Sequence, residues 1–218
     1  VPTQIYKTKD GKRVPGTTTI IGKFKEAGGL IHWAWNLGMQ GIDYNERRDK
    51  AADAGTLAHA LVEGHIRGYS VDMTKEPPDI VKKAQEAFDA FLKWSEGSKF
   101  KPQETELPLI SEVHKFGGCL DAMFVNGELS LGDWKSSSGI YDDHLLQLAG
   151  YGILWEENFP DRPIVGGFHI CRFGKTGGEF QHHWWAYDNP RMIAAKELFL
   201  LYRRGYDLKK IIAAKDTE

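Results

Sequence analysis

Residues 117–137 read GGCLDAMFVNGELSLGDWKSS. Two apolar runs, Leu120 to Val125 and Leu129 to Leu131, flank Asn126-Gly127, a dipeptide that strongly signals a tight β-hairpin. Asp121 lies in the first run, Asp133 follows the second, and Lys135 is two beyond Asp133. Strand side chains alternate, so Asp133 and Lys135 share a face while Trp134 points away. A hairpin closed at Asn126-Gly127 sets Asp121 opposite the Ser130 to Gly132 stretch, which makes Asp121 and Asp133 neighbours at one end of a sheet. Carboxylates that close repel unless a cation or proton intervenes, and hard oxygen ligands beside an imidazole suit Mg²⁺ or Mn²⁺.

The elements on either side predict the frame. Ala51 to Arg67 reads as a helix with Leu57, Ala58, Leu61, Val62 and Ile66 on one side, and His59 and Glu63 together on another. Asp79 to Trp94 is a second, amphipathic helix opened by Pro77-Pro78. Strands are predicted over Glu104–Ile110, Gly118–Val125 and Leu129–Trp134, followed by a helix over Asp143–Glu156. Two more strands, Ile164–Phe173 and Glu179–Tyr187, flank the turn Lys175-Thr176-Gly177-Gly178, and a helix over Arg191–Arg204 closes the order. This is an α/β or α+β arrangement around a mixed sheet of about five strands. No linker or repeat interrupts it, so one domain is expected: a helical and irregular part over 1–50, a core over 51–190 and a C-terminal helix over 191–218.

Composition narrows the function classes. The formal net charge of −2 excludes a domain that holds nucleic acid by bulk positive charge. That sum hides a division: residues 1–50 carry nine basic and five acidic side chains, 51–190 carry twelve and twenty-one, and 191–218 carry seven and four. The basic ends are the better candidates for following a phosphate backbone. Two cysteines, Cys119 and Cys171, are too few for a disulfide scaffold and form no CxxC pair or His/Cys cluster of the zinc type. No apolar window reaches a membrane span or a signal segment, so an intracellular, cytoplasmic protein with no membrane partner is expected.

The combination of Gly118-x-x-Asp121, the hairpin, Asp133-Trp134-Lys135-Ser136-Ser137 and Gln147-Leu148-Ala149-Gly150-Tyr151 resembles the PD-(D/E)XK nuclease superfamily. The likeness lies in the RecB-like exonuclease branch, which includes phage exonucleases and the mitochondrial genome maintenance exonuclease. It spans roughly Gly55 to Phe173, about half the chain. The first acidic motif reads Leu120-Asp121, without the proline that names the superfamily. The resemblance implies a restriction-endonuclease-like core with helices arching over the site, in a bacterial or phage-infected cell, serving DNA replication, recombination or repair.

The resemblance also implies roles. Asp121, Asp133 and Lys135 match the catalytic motif, and Glu106 matches a strand carboxylate that binds a second metal directly or through water. Alternation alone does not choose between Glu104 and Glu106. His59, Asp121, Asp133 and the Trp134 carbonyl would hold Mg²⁺ or Mn²⁺, with Glu63 steadying the imidazole. Lys135 would orient water or phosphate and stabilise developing charge. Gln147 and Tyr151 would contact phosphate, and the hydroxyls and N–H groups of Ser136 and Ser137 offer a phosphate cradle. Trp33, Arg47 and Arg48, with Trp35 and Tyr44, mix aromatic and basic side chains as single-strand channels do. The iron–sulfur cluster of some RecB-like nucleases needs four cysteines, so none is expected here. The implied activity is a metal-dependent DNA exonuclease acting on single strands or free ends. The alternatives are a nicking or structure-specific endonuclease on the same core, and an inactive DNA-binding or recombination accessory module.

Overall fold

The computed structural model describes residues 4–26, 28–137, 139–173 and 180–214. A small hairpin, β1 (Tyr6–Lys7) and β2 (Arg13–Val14), leads into helices α1 (Thr17–Gly22), α2 (Gly28–Met39), α3 (Tyr44–Arg67) and α4 (Pro78–Gly97). Strands β3 (Lys101–Ser111), β4 (Phe116–Asn126) and β5 (Glu128–Lys135) follow, then α5 (Asp142–Asn158), β6 (Gly167–Phe173), β7 (Phe180–Trp185) and α6 (Pro190–Ala213). The five-stranded sheet has the order β3-β4-β5-β6-β7, antiparallel except for the parallel pair β5–β6 that α5 connects. It is the mixed, helix-flanked α/β sheet expected from the sequence.

Two apolar layers hold the helices to the sheet. On one face Leu120, Leu131, Phe168 and Ile170 meet Leu148, Leu154 and Trp155 of α5 and Phe199 of α6. On the other, Ala122, Trp134, Cys171 and Phe173 meet Leu61 and Val62 of α3 and Ile80, Ala84 and Phe91 of α4. Burial of this area is the main force fixing the sheet against both helix layers.

Helix α3 begins seven residues before the predicted start. Asp43 caps it, its side chain accepting from Glu46 N–H at 2.8 Å, and Gly68 ends it at φ +76. The added turns, Tyr44 to Lys50, are mostly polar and carry no apolar periodicity, which is why pattern reading stops short of them. Strand β6 begins at Gly167 rather than Ile164, because a turn from Pro163 C=O to Val165 N–H occupies the intervening residues. The Lys175-Thr176-Gly177-Gly178 turn lies outside the described residues.

One correction shapes the site. The β4–β5 hairpin is one residue tighter than a two-residue Asn126-Gly127 loop: Asn126 pairs with Glu128 around Gly127, which sits at φ +86. Ala122 therefore pairs with Gly132. Continuing that register sets Asp121 across from Asp133, not from Ser130 or Gly132. A slip of one would have turned the two carboxylates to opposite faces.

Candidate active site

Beyond the Ala122–Gly132 pair, β5 stays paired with β6 as far as Lys135–Arg172, while its ladder with β4 ends. Asp121 bridges the fork, its Oδ2 accepting from Trp134 N–H at 2.8 Å. On the other side of β4, Thr105 pairs with Ala122 and Leu107 with Leu120, so Glu106 lies opposite Asp121. Glu106, Asp121 and Asp133 thus form one row across β3, β4 and β5. Glu106 adopts φ +47, a left-handed backbone that a residue with a Cβ rarely takes and that costs on the order of 1 kcal/mol.

Helix α3 adds the imidazole. His59 Nδ1 stands 3.9 Å from Asp121 Oδ2, and one ligand atom each from His59, Glu106 and Asp121 lies within 4.8 Å of the others. Burial pulls His59 down to about 4, helped by the nearby Lys135 charge, so its ring is neutral and able to offer a lone pair. Burial pushes Glu106 up to about 7, with Asp121 adding to the effect. Burial also raises Asp133 to about 7, against the ammonium of Lys135 and with the repulsion of Asp121, and it raises Asp121 itself.

Asp133 is fully buried, and its Oδ2 is ion-paired with Lys135 Nζ at 2.5 Å. A row of buried and half-buried carboxylates beside a neutral imidazole is a donor set that fits a hard divalent cation. The residues that would hold it are His59, Glu106 and Asp121, with Asp133 adjoining. The Trp134 carbonyl, expected among the ligands, lies beside the His59 ring.

Lys135 is fixed from α5. Its Nζ donates to Gln147 Oε1 at 3.1 Å, while Gln147 Nε2 donates to Asp133 Oδ1 at 3.2 Å and to the Tyr151 hydroxyl at 2.8 Å. The structure therefore places Gln147 and Tyr151 behind the acid–lysine pair. Tyr151 is buried in the core, which takes it away from the phosphate-contact position expected of it. Glu63 does not steady the imidazole either: it is ion-paired with Arg67 at 3.2 Å, one turn along α3.

Ser136 and Ser137 lie at the mouth, where Arg172 holds the loop by donating to the Ser137 carbonyl at 3.0 Å. A cleft of about 390 Å³ opens there, lined by Trp33, Arg48, His59, Lys135, Ser136 and Ser137 among others. Trp33 is braced edge-on by Tyr44 at 5.2 Å, and Arg48 lies over the Tyr44 ring while pairing with Asp49 at 2.8 Å. Arg47 is exposed on the same helix but does not line the cleft. A larger hollow, of about 770 Å³ against α4 and β7, is lined by Glu86 and Asp89 but by none of Glu106, Asp121 and Asp133. Gly55 lets α3 approach: a Cβ there would run into Ser136 Oγ. Gly55→Val is expected to lower thermal stability by about 1–3 kcal/mol through overpacking, read from the melting temperature.

Two neighbours of the site escaped sequence reading. The Cys119 thiol donates to Glu106 Oε2 at 3.6 Å, and burial beside that carboxylate pushes it up to about 12. Alternation from Asp121 was the signal for it. Buried Arg172, abreast of Lys135, carried no local signal because it arrives from β6.

The fold and the row of acids define an α/β protein with a candidate metal site at the fork of its sheet. No family model matches the sequence, and no curated protein matches it. Among solved structures, the "putative exonuclease" of Eubacterium rectale is 12% identical at a TM-score of 0.46, covering 70% of this chain and 68% of that one. The alkaline exonuclease of Laribacter hongkongensis is 10% identical at a TM-score of 0.37, covering 75% of this chain and 91% of that one. The same enzyme in complex with dAMP aligns over the same shares at 12% identity and a TM-score of 0.37. At these identities and scores the likeness carries neither substrate nor mechanism to this chain.

Proposed function

We propose that the protein is a divalent-metal-dependent DNA exonuclease, using Mg²⁺ or Mn²⁺ and acting on single strands or free ends. The observation that carries this reading is the row Glu106, Asp121 and Asp133, with His59 at one side and Lys135 at the other. A divalent cation bound there supplies charge to polarise a phosphoryl oxygen and to lower the pKa of a coordinated water.

The chain's own residues do the rest. His59, Glu106 and Asp121 bring their donor atoms within 4.8 Å of one another, and burial makes the two carboxylates avid for positive charge while it keeps the His59 ring neutral. Lys135, held by Asp133 and Gln147, stabilises negative charge developing on the phosphate and orients the attacking water. Ser136 and Ser137 stand at the mouth to receive phosphate oxygens, while Trp33 offers a stacking face and Arg48 a positive charge at the rim.

End-labelled linear and closed circular single-stranded DNA, each incubated with and without Mg²⁺ or Mn²⁺, provide the test. The expected result is metal-dependent shortening of linear strands with circles left intact. Cleavage of circles would replace the exonuclease with an endonuclease on the same core. No metal-dependent cleavage of either would point to a binding module.

A further inference from the structure

The outward face of α6 carries a stripe of apolar side chains that stand exposed. Leu201 and Ile211 are each 67% exposed, Ile212 is 82%, and Leu198 and Leu208 are 40% and 42%. The opposite face of the same helix buries Met192, Ala195 and Phe199 in the core. A helix that needs only one partner puts polar residues on its far side. Contiguous exposed apolar surface of this kind marks an interaction site.

The spacing says what kind. Ala194, Leu198, Leu201, Gly205, Leu208 and Ile212 recur at intervals of four and three in alternation, the seam by which two helices pair. Gly205, half-buried against Phe24, marks the seam's inner edge. Glu197 and Arg204 lie one heptad apart along one border of the stripe, Lys209 along the other. Glu197 and Arg204 are both exposed, and neither has an ion-pair partner among the described residues.

We propose that α6 is a self-association surface on which a second copy of this chain docks with its own α6 antiparallel. A parallel copy in register would set Arg204 against Lys209 of the second copy, two like charges. An antiparallel copy with Leu198 against Leu201 of the second copy brings Glu197 of each chain to Arg204 of the other. Two-fold symmetry makes that pairing twice along the border that carries both charges, while Lys209 on the other border donates to the Lys23 carbonyl of its own chain at 3.0 Å.

Sedimentation equilibrium of the protein over a dilution series tests this. The expected result is a reversible dimer. Leu201→Glu should give a monomer with the parent's circular dichroism, since the side chain faces solvent in the single chain, and with a melting temperature that no longer depends on protein concentration. Glu197→Arg and Arg204→Glu should each weaken the dimer several-fold, and the double exchange should restore it. A parent protein that stays monomeric throughout, or a dimer unmoved by Leu201→Glu, overturns the proposal. Should Leu201→Glu fold poorly, the charge exchange decides, and a double exchange no tighter than the single ones overturns it.

Discussion

Asp133→Asn is expected to abolish metal-dependent DNA cleavage, a loss of about a thousandfold or more, while leaving the protein folded. The substitution keeps the shape of a fully buried side chain and removes only the charge. Gln147 can still hydrogen-bond the new amide oxygen, so packing between β5 and α5 survives. Two things are lost: an anionic oxygen beside the proposed cation and the counter-charge that holds Lys135 at 2.5 Å. Lys135→Ala should approach the same loss by a different route. It leaves the acids in place and removes the ammonium that faces the phosphate, so metal binding should persist while turnover falls about a hundredfold or more. Steady-state cleavage of linear DNA, paired with circular dichroism, reads both. Wild-type turnover in either variant would overturn the site assignment.

The strands, the helices of the core and the acidic motif were legible because they depend on local patterns: alternation through β4 and β5, the helical period of α4, and the Asp-x-Lys spacing. The facing of Asp121 and Asp133 was less so. It turns on whether Gly127 forms part of a two-residue loop or stands alone between paired Asn126 and Glu128, a difference of one residue that leaves the composition of the turn unchanged. Glu106 could not be separated from Glu104 by periodicity. The structure separates them by register, since Glu104 pairs with Met123 while Glu106 stands beside Asp121 with a left-handed backbone. The roles of Gln147, Tyr151 and Glu63 depend on which side chain comes nearest in space. Helical spacing names the shared face but not the partner, and the nearest partners are Lys135, Asp133 and Arg67.

The second large effect expected is a metal-induced rise in melting temperature that is strong at pH 8 and nearly absent at pH 5. Glu106 and Asp133 are raised to about 7, chiefly by burial, so without a cation the folded protein keeps protons there that the unfolded chain has released. Their stabilising contribution is complete below the ordinary carboxylate range and is lost as pH rises through about 7. His59, His144 and His169 are lowered to about 4 by burial, so the unfolded chain takes up protons below about 6.5 that the folded state refuses. These two trends oppose each other between pH 4 and 7, which makes the metal-free melting curve a poor reporter. The increment on adding Mn²⁺ is the better one. A cation must displace the carboxyl protons, so each displaced proton lowers affinity about tenfold per pH unit below 7, whereas the neutral His59 ring offers no such competition. At a concentration about a hundred times the dissociation constant, binding adds about 2.7 kcal/mol, or about 5–10 °C for a chain of this size. Differential scanning fluorimetry with Mn²⁺ at both pH values measures this, and His59→Ala should shrink the rise at pH 8. An equal rise at both pH values would show that the ion binds elsewhere than among these buried acids.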